Sequence, residues 1–183
     1  MKRRFDIKAT SRISVFAAVM AVGAWIWIPG PVPFTLQALG VFLAATLIGA
    51  KKSLIAVMVY LLLGGIGIPV FSGGRSGLGV IFGATGGFLI GFLPMAYICG
   101  KMCEKLKRSP KTLIKSMVLG LISCYITGAL WYAILYLGKP YGLSLKVALV
   151  QCIVPFIIPD ILKIIIATLI VNRIVTHTKL FPL

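Results

Sequence analysis

The chain has 183 residues, of which 60% are hydrophobic and 12% charged, with a mean hydropathy of +1.06 and a formal net charge of +16. Soluble domains are roughly 45–50% apolar and about a quarter charged, and a domain of this size still needs a mostly polar shell. The composition therefore excludes an ordinary soluble protein and describes one integral membrane domain over 1–183, much of whose surface faces lipid. A span needs about 20 apolar residues, and six segments qualify in chain order: 13–28, 35–50, 53–70, 78–100, 113–137 and 145–171. The expected fold class is all-α, a bundle of six transmembrane helices. The basic start "MKRRFDIKATSRISVF" reads as a cytoplasmic N-terminus entering the first helix, not as a cleaved signal peptide.

The charges set the orientation. Lys2, Arg3, Arg4, Lys8 and Arg12 precede the first segment, and Lys51 and Lys52 separate the second from the third. Lys101, Lys105, Lys107, Arg108, Lys111 and Lys115 separate the fourth from the fifth, and Arg173 and Lys179 follow the sixth. With six alternating spans these fifteen residues share one side, against Arg75, Lys139 and Lys146 on the other. The positive-inside rule then places both termini in the cytoplasm. Basic clusters between apolar runs suit anionic lipid, so nucleic acid is not expected as a partner.

The outer connections are unusual. "IPGPVPFTLQ" (Ile28–Gln37) carries three prolines, which remove donors and fix φ, so it is not ordinary helix. Being apolar, it reads as a lid or re-entrant segment packed on protein. Gly65–Leu89 contains nine glycines, consistent with close backbone approach or tight helix packing. "GGRSGLG" lacks the spacing of a phosphate-binding loop.

Within "PFIIPDILK" (Pro155–Lys163) stand Asp160 and Lys163, three apart and so on one helix face. Each costs about 2.5–3.5 kcal/mol near a helix centre on the insertion scale. Pro155 and Pro159 each remove an intrahelical bond, so a kinked or interrupted helix is expected beside the pair, as in transporter substrate sites. A structural ion pair between helices is the competing reading. Asp6 and Glu104 lie in cytoplasmic segments, which leaves too few acids for a proton relay, and the spans hold no Ser/His or paired-acid constellation; no enzyme activity is expected. Arg75 offers a fork for a carboxylate, or is simply a solvated loop charge. Thr35 and Gln37, at the entry to the second helix, both donate and accept. Trp25, Trp27, Phe34, Phe71, Phe82, Phe88, Trp131, Tyr132 and Phe156 serve as interfacial anchors or as walls of an apolar pocket. Cys99, Cys103, Cys124 and Cys152 read as small apolar residues, and His177 as a solvated tail residue, so no metal site is expected.

"PVPFTLQ" (Pro31–Gln37), "YLLLGGIGIPVFSGGRSGLG" (Tyr60–Gly79), "GATGGFLIGF" (Gly83–Phe92) and "PFIIPDILK" together resemble the BioY family, the biotin-specific S components of energy-coupling factor (ECF) transporters. The resemblance covers nearly the whole chain in order. It implies a plasma-membrane protein whose site faces outside and captures biotin as cargo, with no cofactor, energised by a coupling protein and two ATPases. An S component for riboflavin or thiamine, or a non-transporting scaffold, are the alternatives. The substrate-binding residues it points to are Asp160, Lys163, Arg75, Gln37, Thr35, Thr85, Phe88 and Tyr132. Small residues of the first helix meet the coupling protein in S components, and Ala17 and Ala21 match that pattern; ordinary packing within the chain is the competing reading. Two departures stand out: Ala84 and Phe88 where the family commonly has proline and tyrosine, and Ile158 and Pro159 where it commonly has Pro-Gly. Phe88 carries no hydroxyl, so no hydrogen bond is assigned to it.

Overall fold

The computed structural model describes residues 6–29, 33–106, 108–136, 150 and 153–177. Asp6 opens helix α1 (Ile7–Trp25): its carboxylate accepts from the Ala9 N–H at 3.2 Å, covering one of the donors that every helix start leaves open. Beyond α1 the chain leaves the helix for two short strands that flank the prolines. Trp27–Ile28 (β1) pairs antiparallel with Phe34–Thr35 (β2), Trp27 opposite Thr35 and Ile28 opposite Phe34. The Leu36 N–H donates to the Gly23 carbonyl at 3.0 Å and ties this hairpin to the end of α1.

Helix α2 (Gln37–Ile48) is buried on nearly every side and packs against α1, α3 and α5 and against the C-terminal helix. Its apolar residues fall all round the helix, the mark of an enclosed element. Gly49, at φ 81° and ψ 174°, then reverses the chain directly into α3 (Ala50–Gly65); a side chain is disfavoured in that left-handed region. A tight turn at Ser72–Gly74 and short α4 (Leu78–Ile81) lead to α5 (Gly86–Lys105), α6 (Pro110–Tyr136) and α7 (Val154–His177).

Of these, α1, α5, α6 and α7 are long and apolar enough to cross a bilayer, whereas α2 and α3 have 12 and 16 residues. The chain is a multi-pass helical membrane protein. Two expectations need correction. The fourth segment does not start at residue 78, because 82–85 breaks the helix and α5 begins at Gly86. Glycines at 83, 86 and 87 weaken helix there, and the Trp131 indole N–H holds the Gly83 carbonyl at 2.9 Å. Nor is the last helix interrupted: α7 runs through Pro159 without a break. Pro155 sits in the first turn, where an N–H has no intrahelical acceptor, and Pro159 forgoes a single bond to the next carbonyls. The part of the sixth segment before residue 150 lies outside the described residues, as do Lys2, Arg3, Arg4, Lys107, Lys139, Lys146, Cys152 and Lys179.

One end of the bundle collects the basic residues. The Ala50 N–H donates to Glu104 Oε1 at 2.8 Å, and Arg108 Nη2 donates to the Leu47 carbonyl at 3.2 Å, so the α2–α3 and α5–α6 junctions are side by side. Because the end of α1 meets the start of α2, Lys8 and Arg12 belong to this same end, with Lys51, Lys52, Lys101, Lys105, Lys111 and Lys115. Arg75 lies toward the opposite end, beyond α3.

Candidate functional site

At that opposite end the starts of α2, α5 and α7, the turn after α3 and the middle of α6 enclose a cavity of about 650 Å³, including the space at its mouth. Phe71, Phe88, Phe92, Phe156, Leu89 and Leu121 form most of its apolar wall, and Pro33 brings the hairpin connection to it. The polar groups facing it are few and come from separate elements: Thr35, Gln37, Ser72, Thr85, Tyr125, Asp160 and Lys163.

Asp160 and Lys163 are each 4% exposed, and Lys163 Nζ donates to Asp160 Oδ1 at 2.6 Å. The Tyr125 hydroxyl, from α6, donates to Asp160 Oδ2 at 2.5 Å, so each carboxylate oxygen has a protein donor. The ammonium also lies 4.2 Å from the centroid of the Phe34 ring, a cation–π contact that reaches from α7 to β2. Burying a charge pair is costly unless its bonding is well completed; here Tyr125 completes the carboxylate's bonding and the Phe34 ring faces the ammonium.

Gln37 is held as firmly. Its Nε2 donates to the Tyr60 hydroxyl at 2.6 Å, and the Thr35 hydroxyl donates to its Oε1 at 3.1 Å. Tyr60 is fully buried and meets the Phe71 ring edge-on, with centroids 5.6 Å apart and planes at 82°. The amide therefore presents a fixed face, oriented by groups on β2 and α3.

Six of the eight residues proposed from sequence line the cavity: Asp160, Lys163, Gln37, Thr35, Thr85 and Phe88. Arg75 and Tyr132 do not. Arg75 is exposed, and its Nε donates to the Ser72 carbonyl at 3.1 Å; the turn's own backbone draws the side chain back. Tyr132 is buried behind the wall, in a cluster with Ala84, Phe88, Tyr136 and Phe156. Phe88 packs over Gly128 of α6, where a Cβ would run into its ring. Ala17 is 3% exposed and turned into the core; Ala21 is half-buried. Tyr125, Tyr60 and Ser72 were not singled out from sequence. Tyr125 follows Cys124 and stands one turn from Leu121 in an apolar run, and only the fold reveals that it faces Asp160.

A helical membrane bundle with an apolar-walled cavity beside one buried charge pair is a multi-pass membrane protein with a candidate solute site at one end. The sequence model of the BioY family matches residues 1–179, and the chain belongs to that family. It is 46% identical over 118 residues to the biotin transporter BioY of Thermotoga maritima, covering 64% of this chain and 69% of that one. It is 42% identical over 138 residues to the biotin transporter BioY of Rhodobacter capsulatus, covering 72% and 71%. The fold matches a crystal structure of the S-component for biotin from an ECF-type ABC transporter, with a TM-score of 0.85 and 27% identity over 97% of this chain and 96% of that one.

Proposed function

We propose that this protein captures biotin on the outer side of the membrane as the substrate-specific component of an ECF transporter. In this reading a separate coupling protein and two ATPases energise uptake, and biotin is cargo, with no cofactor assigned. The observation that carries the reading is the Asp160–Lys163 pair enclosed in a cavity, in a chain of the BioY family. Biotin's ureido ring offers two N–H donors and a carbonyl acceptor. Asp160 accepts from a ureido N–H, Lys163 donates to the ligand while holding Asp160 in place, and Gln37 and Thr35 read a second polar edge. Phe71, Phe88 and Phe156 cover the thioether ring and the aliphatic chain. Since Arg75 is drawn back to Ser72, the carboxylate is assigned to the turn at 72–74 and not to the guanidinium.

The clustering of basic residues at the end remote from the cavity supports cytoplasmic termini and an outward-facing site. The six-span reading then takes α2 and α3 as the two short spans. Ala21 stays a candidate contact for the coupling protein, while the inward-facing Ala17 is withdrawn from that role. Mass spectrometry of the detergent-purified protein tests the reading. Co-purified biotin, and tight binding in competition with riboflavin and thiamine, is the expected result. Failure to bind biotin, or preference for another vitamin, refutes it.

A further inference from the structure

Asp160, Gln37 and Thr35 all find protein partners at the cavity wall. The Ser72 hydroxyl does not. Ser72 is 8% exposed and lines the cavity, and its Oγ is buried without a hydrogen-bond partner among the described residues.

The group is not on a loose segment. Arg75 Nε donates to the Ser72 carbonyl at 3.1 Å, the Gly74 N–H to the Phe71 carbonyl at 2.9 Å, and the Phe71 N–H to the Arg75 carbonyl at 3.0 Å. Phe71 itself is fully buried against Tyr60 and Gly64. The serine is thus fixed in the cavity wall. A buried polar group without a partner destabilises a fold, and native proteins keep few of them. Serine here makes sense if something absent from the chain completes its bonding.

We propose that Ser72 is a ligand contact, its hydroxyl donating to an oxygen acceptor of the bound solute; this rests on the reading of the cavity as the biotin site. The surroundings favour an acceptor. Gly73 and Gly74 follow with φ of 67° and 76°, and the Arg75 charge is on the same turn. Asp160 already supplies the acceptor side of the cavity. Biotin has two oxygen acceptors, the ureido carbonyl and the carboxylate.

The test pairs two measurements on purified Ser72→Ala. Without ligand, its Tm rises by about 2–4 °C, because the orphaned hydroxyl is gone. Its Kd for biotin weakens about tenfold or more. Biotin methyl ester separates the two oxygens: a smaller loss than with biotin identifies the carboxylate, an equal loss the ureido carbonyl, and both sustain the contact. Ser72→Cys, close in shape with a weak donor, falls between serine and alanine. A Kd within twofold of the unaltered protein, or a drop in unliganded Tm, overturns the proposal. If the unaltered protein fails to bind biotin, the biotin reading falls and this contact falls with it, whereas normal binding by the unaltered protein with an unchanged Kd in Ser72→Ala overturns the contact alone.

Discussion

Replacing Lys163 by methionine keeps the length of the side chain and removes its charge, leaving Asp160 4% exposed with Tyr125 as its donor. At an effective dielectric of about 20, unit charges 2.6 Å apart attract by about 6 kcal/mol. Desolvation of both ions offsets most of that in the intact pair, yet breaking one side of a buried pair costs about 3–5 kcal/mol, because the remaining charge is uncompensated. For a chain of this length each kcal/mol moves Tm by about 2–4 °C, so Lys163→Met lowers the unliganded Tm by about 6–20 °C. Asp160→Asn has a smaller effect, since Lys163 keeps the Phe34 ring. The double variant Asp160→Asn/Lys163→Met recovers much of the loss, because no buried ion remains, while biotin binding stays lost. Thermal unfolding of all four proteins with and without biotin, analysed as a double-mutant cycle, reads both quantities. Additive stability losses, with the double variant the least stable, would refute the reasoning.

Three further outcomes follow from the same contacts. Tyr125→Phe removes the donor to Asp160 Oδ2 and weakens biotin binding about tenfold, measured by calorimetry; an unchanged Kd would mean that Tyr125 does not position the carboxylate. Gly128→Ala drives the Phe88 ring from its seat toward the cavity, so biotin affinity falls at least tenfold, and Phe88→Leu in the same chain restores part of it. Glu104→Gln weakens the bond to the Ala50 N–H at the start of α3; it lowers Tm by about 2–4 °C, for about 1 kcal/mol, and leaves biotin affinity unchanged.

The helices readable in advance were those whose signal is long and local. α1, α6 and much of α5 and α7 follow from apolar runs, and the lysines at 51 and 52 mark the α2–α3 junction. The Asp160–Lys163 pair was legible because charge inside an apolar run has few innocent explanations. Tyr125 was not, since a tyrosine reads the same toward lipid or toward a carboxylate. Ala17 and Ala21 are ambiguous for a related reason: small residues four apart serve an inner crossing as well as an outer one, Ala17 is turned into the core, and α1 meets Gly40 of α2 so closely that a Cβ there would strike Met20. Pro159 does not interrupt α7, because one lost backbone bond is a local cost that a well-packed helix absorbs.

The unequal helices leave an uneven belt for lipid. At about 1.5 Å per residue, α6 with its 27 residues measures about 40 Å, whereas α3 with 16 measures about 24 Å. Short α2 is screened by its neighbours, but α3 turns Ile55, Met58 and Leu62 outward. On the six-span reading, a hydrocarbon layer about 30 Å thick meets a hydrophobic deficit along α3. The bilayer must thin or the molecule lean on that flank, which makes acyl-chain length a variable to which this protein is sensitive on one side and indifferent on the other.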